Sequence, residues 1–117
     1  MSREGFIRRA TTLPSNSHHR SKKQESELAS RTKGRITPGS GNQKIKGDVR
    51  VKGIARIEAK TTKHKSFTVT LEMYRKIEEA ALASQELPII VIEFNNGFGK
   101  KVAELAVVPT YILDQLG

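Results

Sequence analysis

Apolar and polar side chains alternate along two short runs in the middle of the chain, residues 47–51 and 54–60. Successive side chains of a β-strand point to opposite faces, so both runs predict strands with one apolar face. Lys52 and Gly53 stand between them and have the composition of a tight turn. The two strands are therefore expected to form a hairpin.

Helical periodicity covers residues 71–84 and predicts an amphipathic helix that packs against a sheet. The expected buried stripe of this helix consists of Leu71, Tyr74, Ile77 and Ala81. Thr70, directly before it, is a suitable N-cap. A shorter helix is predicted over 24–33, where Gly34 offers a favourable residue just past the helix end. A third helix is predicted over 110–116.

Three further runs have the length and composition of strands, and they are residues 66–70, 89–94 and 101–109. The apolar run 89–94 follows Pro88 and is typical of a central strand that is covered on both faces. Residues 35–43 contain Pro, Gly and Ser and predict a loop, with 35–37 extended before it. The resulting order, α-β-β-β-α-β-β-α, predicts an α/β fold with a mixed sheet flanked by helices.

The positive charge is concentrated in the first half of the chain. Residues 1–53 carry thirteen Lys and Arg against four Asp and Glu, a balance of +9, whereas residues 54–117 carry eight of each. Such one-sided charge is typical of a surface that binds phosphates. Residues 1–23 have no sustained period and predict a flexible basic arm, which leaves 24–117 as a single domain.

The composition excludes several classes of protein. The chain contains no Cys, so it cannot form disulfides or a Cys-based zinc site. Its apolar runs are too short to span a bilayer, and its first twenty residues lack the apolar segment of a signal peptide. We therefore expect a soluble cytoplasmic protein with no membrane partner.

Candidate chemistry lies on the predicted hairpin. Glu58 and Lys60 are two residues apart on one strand, so their side chains share a face. Asp48 lies on the preceding strand. A two-residue turn would pair Asp48 with Ile57 and leave Glu58 on the wrong face, whereas an odd-numbered loop or a bulge would bring Asp48 opposite Glu58. A site built from these acids therefore requires a hairpin that is not a plain two-residue one.

If that requirement is met, two carboxylates converge beside a lysine. Paired carboxylates repel each other unless a cation lies between them, and hard oxygen ligands favour Mg²⁺ or Mn²⁺. Lys60 would orient a water molecule or neutralise a phosphate. Glu25, from the first helix, could complete the site by positioning a metal-bound water or the nucleophile.

The pattern Asp48-x9-Glu58-Ala59-Lys60 resembles the signature of the restriction-endonuclease-like PD-(D/E)xK nucleases. With the upstream Glu25 and the Gly39-Ser40-Gly41 loop, the chain from residue 25 to about 94 is most similar to archaeal-type Holliday junction resolvases and their phage relatives. The resemblance implies a restriction-endonuclease-like core and a homodimer that cuts four-way, double-stranded DNA junctions by paired symmetric cleavage. Gly47 departs from the family, in which a proline often precedes the aspartate.

The resemblance also implies roles for individual residues. The metal would be held by Asp48, Glu58 and the Ala59 carbonyl, with Glu25 acting directly or through water. Catalysis would involve Glu25, Ser40, Asp48, Glu58 and Lys60. The expected DNA-binding residues are Arg8, Arg9, Arg20, Lys22, Lys23, Arg31, Lys33, Arg35, Lys44, Lys46, Thr62 and Lys63.

Two alternatives stay open at this point. One is another nicking or structure-specific deoxyribonuclease with the same site and a different preference for DNA shape. The other is a non-catalytic basic protein that binds RNA or DNA, which would explain the charge but not the acids. That second alternative predicts that Asp48 and Glu58 point apart or form salt bridges with Arg50 or Arg56.

Overall fold

The structure is a computed structural model that describes residues 17–37 and 48–117. Its elements in chain order are α1 (Ser17–Thr32), β1 (Arg35–Ile36), β2 (Val49–Val51), β3 (Ala55–Thr62), α2 (Leu71–Ala83), β4 (Leu87–Asn95), β5 (Lys101–Val107) and a 3₁₀ helix (Thr110–Leu116). Of the residues singled out in the sequence, Arg8, Arg9, Ser40, Lys44 and Lys46 lie outside the described ranges.

The five strands form one mixed sheet in the order β1-β2-β3-β4-β5. Neighbouring strands run antiparallel except β3 and β4, which are parallel and are connected through α2. The predicted α/β class with a mixed sheet is therefore confirmed. The apolar run predicted as a central strand is β4, which lies between β3 and β5 and is buried over most of its length.

A separate apolar cluster covers each face of the sheet. On one face, Leu28 of α1 packs with residues of β2, β3 and β4, namely Val49, Ile57, Ala59 and Val91. On the other face, Ile77 of α2 packs with Ile90 and Ile92 of β4. Because β3 alternates, Ile57 and Ala59 face α1 while Glu58 and Lys60 project from the face that α2 covers. This arrangement fixes which side of the sheet carries the candidate chemistry.

Helix α1 begins at Ser17, inside the segment that the sequence assigned to a flexible arm. The predicted boundary at residue 24 is therefore wrong. The helix buries a stripe of Arg20, Gln24 and Leu28, four residues apart, of which only Leu28 is apolar. A polar stripe gives no hydrophobic period, so the first half of the helix was not visible in the apolar pattern.

The third strand of the predicted order has a different position in the structure. Residues 66–70 are not a strand, and the additional strand is β1 at Arg35–Ile36, which pairs with β2. Thr70 is the N-cap of α2 as predicted, because its Oγ1 accepts a hydrogen bond from the Met73 N–H at 3.1 Å. Within the predicted buried stripe, Ile77 and Ala81 are buried, but Leu71 is 67% exposed.

The turn from α1 into β1 depends on a glycine for a reason that differs from the predicted one. Lys33, and not Gly34, adopts the left-handed conformation after the helix, with φ of 60°. A Cβ on Gly34 would lie 2.8 Å from the carbonyl oxygen of Arg50, so any side chain would push β1 away from β2. Gly34 therefore permits close approach of these two segments.

Neither α1 nor any other helix within the described ranges combines the length and the apolar character that crossing a membrane requires.

Candidate active site

The hairpin of β2 and β3 has the register that the candidate site requires. Val51 pairs with Ala55 and Val49 with Ile57, so three residues form the loop between the strands. Gly53, in the middle of this loop, adopts φ of 77°, a conformation that side chains disfavour. Asp48 lies directly before the paired residue Val49, and Glu58 directly after its partner Ile57. The turn predicted at Lys52 and Gly53 is therefore one residue too short, and the observed odd-numbered loop is of the kind that the candidate site requires.

Asp48 is bound to the residues on both sides of Glu58. Its backbone N–H donates to the Ile57 carbonyl at 2.7 Å, and its Oδ2 accepts the Ala59 N–H at 2.8 Å. The carboxylate therefore occupies a position where a continued β2 would have paired with β3. Backbone geometry, and not only side-chain packing, fixes this acid beside Glu58.

Glu58 and Lys60 form an ion pair on the same face of β3, with Lys60 Nζ 3.2 Å from Glu58 Oε2. The Glu58 side chain is 24% exposed. Burial raises the pKa of Glu58, and the negative charge of Asp48 raises it further, while Lys60 and then Lys76 oppose the shift. Lys60 therefore does not fully compensate the charge of the two acids.

Glu25 approaches the same acids from α1. Partial burial raises its pKa, and Asp48 and Glu58 each raise it further, while Lys22 lowers it. Glu25 therefore lies within electrostatic range of Asp48 and Glu58, and Lys60 pairs with Glu58. These are the four described residues that the sequence assigned to catalysis. Two carboxyls with raised pKa values beside a third acid are typical of a functional site.

Gln24 is a site residue that the sequence reasoning missed. It is fully buried, and its Nε2 donates to the carbonyl oxygens of Lys60 at 3.0 Å and Val91 at 3.3 Å. These bonds attach α1 to β3 and β4 at the residue next to Glu25. Gln24 thereby sets the position of Glu25 relative to Lys60. Gln24 is polar, and only part of its helix was predicted, so the sequence pattern gave no signal for this role.

Arg50 and Arg56 are the arginines that a purely binding protein was expected to pair with the acids. Their Nε atoms bind Glu86 instead, at 2.8 Å and 3.0 Å, and the Gly53 N–H donates to the same carboxylate at 2.7 Å. Burial alone would raise the pKa of Glu86, but the bonds from Gly53, Arg50 and Arg56 lower it overall. Both arginines are therefore bound by Glu86, whereas the ion pair of Glu58 is with Lys60.

Arg20 does not fit its assignment as a DNA-binding residue. It is 3% exposed, and its guanidinium forms a bidentate ion pair with the buried Glu93. A buried guanidinium bound to a carboxylate cannot also reach a phosphate, so Arg20 fixes α1 to β4. The assignment was wrong because residue 20 was placed in a flexible arm.

The other described DNA-binding candidates lie on the surface or near it. Lys22, Lys23, Lys33, Arg35 and Lys63 are exposed, and Thr62 is half-buried. Arg31 is exposed as well, but it forms an ion pair with Glu104 at 3.0 Å. These positions agree with contact to a large polyanion, except that Arg31 would have to leave Glu104.

The residues present fit Mg²⁺ or Mn²⁺. Across residues 17–37 and 48–117, no group of three His, Cys, Asp or Glu side chains is close enough to form a metal site by itself. Magnesium is usually bound by one or two carboxylates together with water and substrate phosphates, so such a group is not required. Asp48 and Glu58 supply two carboxylates whose mutual repulsion a cation would relieve.

Comparisons with protein-family models, curated proteins and solved structures found no match to this chain. The fold and the site define an α/β protein with clustered acids and a lysine around the central strand of a mixed sheet. The resemblance to the PD-(D/E)xK nucleases and to junction resolvases stays a prediction.

Proposed function

We propose that this protein is a metal-dependent endodeoxyribonuclease that resolves four-way DNA junctions by paired, symmetric cleavage of phosphodiester bonds. One observation carries the proposal: Asp48 is hydrogen-bonded to both chain neighbours of Glu58, and Glu58 pairs with Lys60 on the same face of β3. A protein that only binds nucleic acid has no need for two acids, Glu25 and Glu58, whose pKa values are raised first by burial and then by neighbouring carboxylates. Engagement of Arg50 and Arg56 by Glu86 supports the same proposal.

The candidate residues would have different roles in phosphodiester hydrolysis. Asp48, Glu58 and the Ala59 carbonyl would hold Mg²⁺, which when bound stabilises negative charge on the phosphate and lowers the pKa of water. Lys60 lies beside Glu58, where its ammonium would neutralise the phosphate or orient the attacking water. Glu25, whose pKa is raised by partial burial and by the two other acids, would help to position that water.

A symmetric dimer is the expected assembly for this reaction, because a four-way junction must be cut at two equivalent phosphates. A surface that is already buried within one chain cannot form the contact between two chains. Ile77 and Ala81 of α2 are buried against the sheet, so this face of α2 is already covered. The 3₁₀ helix has no buried residue, and its Leu113 and Leu116 are 57% and 80% exposed.

The test compares cutting of a four-way junction with that of a linear duplex of the same sequence, in Mg²⁺ and in EDTA. Asp48→Asn is the informative variant, because the amide oxygen can still accept the Ala59 N–H and preserve the hairpin. We expect symmetric nicks in the junction alone, absent in EDTA and reduced at least about 100-fold in the variant. Glu79→Gln, which removes an exposed acid on α2, should cut normally.

The outcomes separate the candidate functions. Equal cutting of junction and duplex would replace junction resolution with another deoxyribonuclease activity at the same site. Tight junction binding without cutting in either Mg²⁺ or Mn²⁺ would overturn the proposal and leave a non-catalytic binding protein.

A further inference from the structure

A groove of about 510 Å³ runs beside the candidate active site, between β1 and the β2–β3 hairpin. The cations that line it are Lys33, Arg35, Arg50, Lys52 and Arg56. Thr37, at one end of the lining, donates its backbone N–H to the Asp48 carbonyl at 2.9 Å. This bond joins one end of the groove lining to the backbone of Asp48, an acid of the candidate site.

Three of the arginines lie on one row across the sheet. Arg35 pairs with Arg50 in the register of β1 and β2, and Arg50 pairs with Arg56 in that of β2 and β3. Side chains directly opposite each other on neighbouring antiparallel strands lie about 5 Å apart at Cβ, and like charges there destabilise a sheet. A row of three arginines is thus unfavourable for folding unless anions compensate it.

Glu86 compensates only part of this charge. Its one carboxylate binds the Nε atoms of Arg50 and Arg56 and thereby holds both guanidinium groups in place. The exposed side chains of Lys33, Arg35 and Lys52 form no ion pair with any acid in the part of the chain that the structure describes. Among the described residues, the groove lining therefore carries five cations, three of which form no described ion pair.

The row of arginines is parallel to the row of acids. Arg56 precedes Glu58 by two residues on β3, so these side chains share a face of the sheet, and Arg50 follows Asp48 by two residues along the chain. Two residues of a strand span about 7 Å. A chain of phosphates with one member at the acids would therefore place its next members over the arginines.

We infer that this groove binds the phosphodiester backbone of DNA beside the cleaved phosphate and sets the position of the strand in the active site. The inference rests on the proposed function and adds Arg50 and Lys52 to the residues that contact DNA, with Arg56 contributing charge from beneath. Arg50 and Arg56, held by Glu86, present a rigid charged floor, while Lys33, Arg35 and Lys52 supply mobile charges at the rim.

The first experiment measures binding without cleavage, as the affinity for a four-way junction in metal-free buffer over a range of salt concentrations. The variant Arg35→Gln, Lys52→Gln removes two exposed cations that have no described partner, so the fold should be unaffected. We expect about tenfold weaker binding and a slope of log K against log salt reduced by about 2, since each phosphate contact contributes about 0.9. The matched control, Lys65→Gln with Lys100→Gln, removes two exposed cations far from the groove and should keep the slope.

A second experiment locates the strand. The chain contains no Cys, so Lys52→Cys introduces a single thiol. This thiol is tested for disulfide formation with junctions that carry one thiol-tethered phosphate at successive positions. Lys52 is four residues from Asp48, about 13 Å along the strand, so we expect cross-linking within about four nucleotides of the cleaved phosphate.

Failure of this inference and failure of the proposed function give different results. An unchanged salt slope in the Arg35→Gln, Lys52→Gln variant would overturn the inference that the groove binds DNA. A cross-link only at phosphates remote from the cut would do the same, even if the protein is a nuclease. If the variant reduces the salt slope but the protein never cuts DNA, the groove is still a DNA-binding surface. Only the proposed nuclease activity is then overturned.

Discussion

Glu58 shows how a single residue of the site opposes folding. Burial and Asp48 both raise its pKa above the ordinary value of 4.5, so the folded protein binds this proton more tightly than the unfolded chain does. The free energy of unfolding therefore falls as pH rises from 4.5 through the raised pKa, and the penalty is fully present above it. Without a bound cation, ionised Glu58 therefore lowers the free energy of unfolding most at pH values above its raised pKa.

Glu58→Gln should therefore raise the melting temperature in EDTA at pH 7, because a neutral amide removes the cost of burying a charge and the repulsion by Asp48. Each kcal/mol gained corresponds to about 4–8 °C in a small domain. The difference should shrink near pH 4, where the wild-type carboxyl is also neutral. Thermal unfolding followed by circular dichroism measures this, with Glu79→Gln as the control. A lower melting temperature at pH 7 would mean that the Lys60 ion pair outweighs the repulsion.

The attachment of α1 is a property of whole elements. Arg20 and Glu93 join the helix to β4 through an ion pair that is almost completely buried, with side-chain exposures of 4% and 0%. Arg20 also donates to the Gly99 carbonyl at 3.3 Å, in the turn after β4. Because Glu25 is on the same helix, this distant pair helps to hold Glu25 near the other acids.

Arg20→Met should cost about 3–5 kcal/mol of folding free energy, because it leaves Glu93 buried and uncompensated. The double variant Arg20→Met, Glu93→Met should recover much of that loss, since two apolar side chains can replace a buried pair. Urea unfolding of both variants measures the difference. If the single variant were fully stable but bound DNA less tightly, Arg20 would be a surface contact and the structural assignment would be wrong.

Local patterns predicted most elements but could not choose among competing strands. Residues 66–70 contain Phe, Val and Thr and favour a strand, yet they connect β3 to the N-cap of α2. Strand β1 is only two residues long and forms because β2 offers it an edge. Whether a segment with strand propensity forms a strand depends on whether a sheet edge is free beside it. The tertiary fold decides that.

The acids of the site were more predictable than the elements around them. Glu58 and Lys60 share a face of any strand, and parity alone showed which loop lengths bring Asp48 to them. The buried partners were not predictable, because Gln24 and Glu86 act through contacts between segments more than 30 residues apart. Sequence spacing carries no information about such contacts.

At the scale of the whole molecule, no other element among residues 17–37 and 48–117 covers the outer side of β5. Strand β5 is an edge strand, and its Val102 and Leu105 are 68% and 54% exposed. The 3₁₀ helix that follows exposes Leu113 and Leu116. Exposed apolar edges tend to pair with another chain, so we expect this side to form the interface of the proposed dimer.

Light scattering should therefore give twice the chain mass of 13.0 kDa. Leu105→Glu should shift the protein to the monomer by weakening dimerisation at least about tenfold, because it buries a charge in an apolar contact. Leu71→Glu is the matched control, since Leu71 is 67% exposed but lies on α2, and it should leave the dimer intact. A wild-type protein that is monomeric at every concentration tested would contradict the dimer.

The three-residue loop after β2 has a consequence for how this chain tolerates change. Surface loop tips ordinarily accept deletions easily. Here, losing one residue between Val51 and Ala55 would make the two-residue turn that separates Asp48 from Glu58. Every codon for a catalytic side chain would survive such a deletion, and we expect it to be as inactivating as the loss of Asp48 itself.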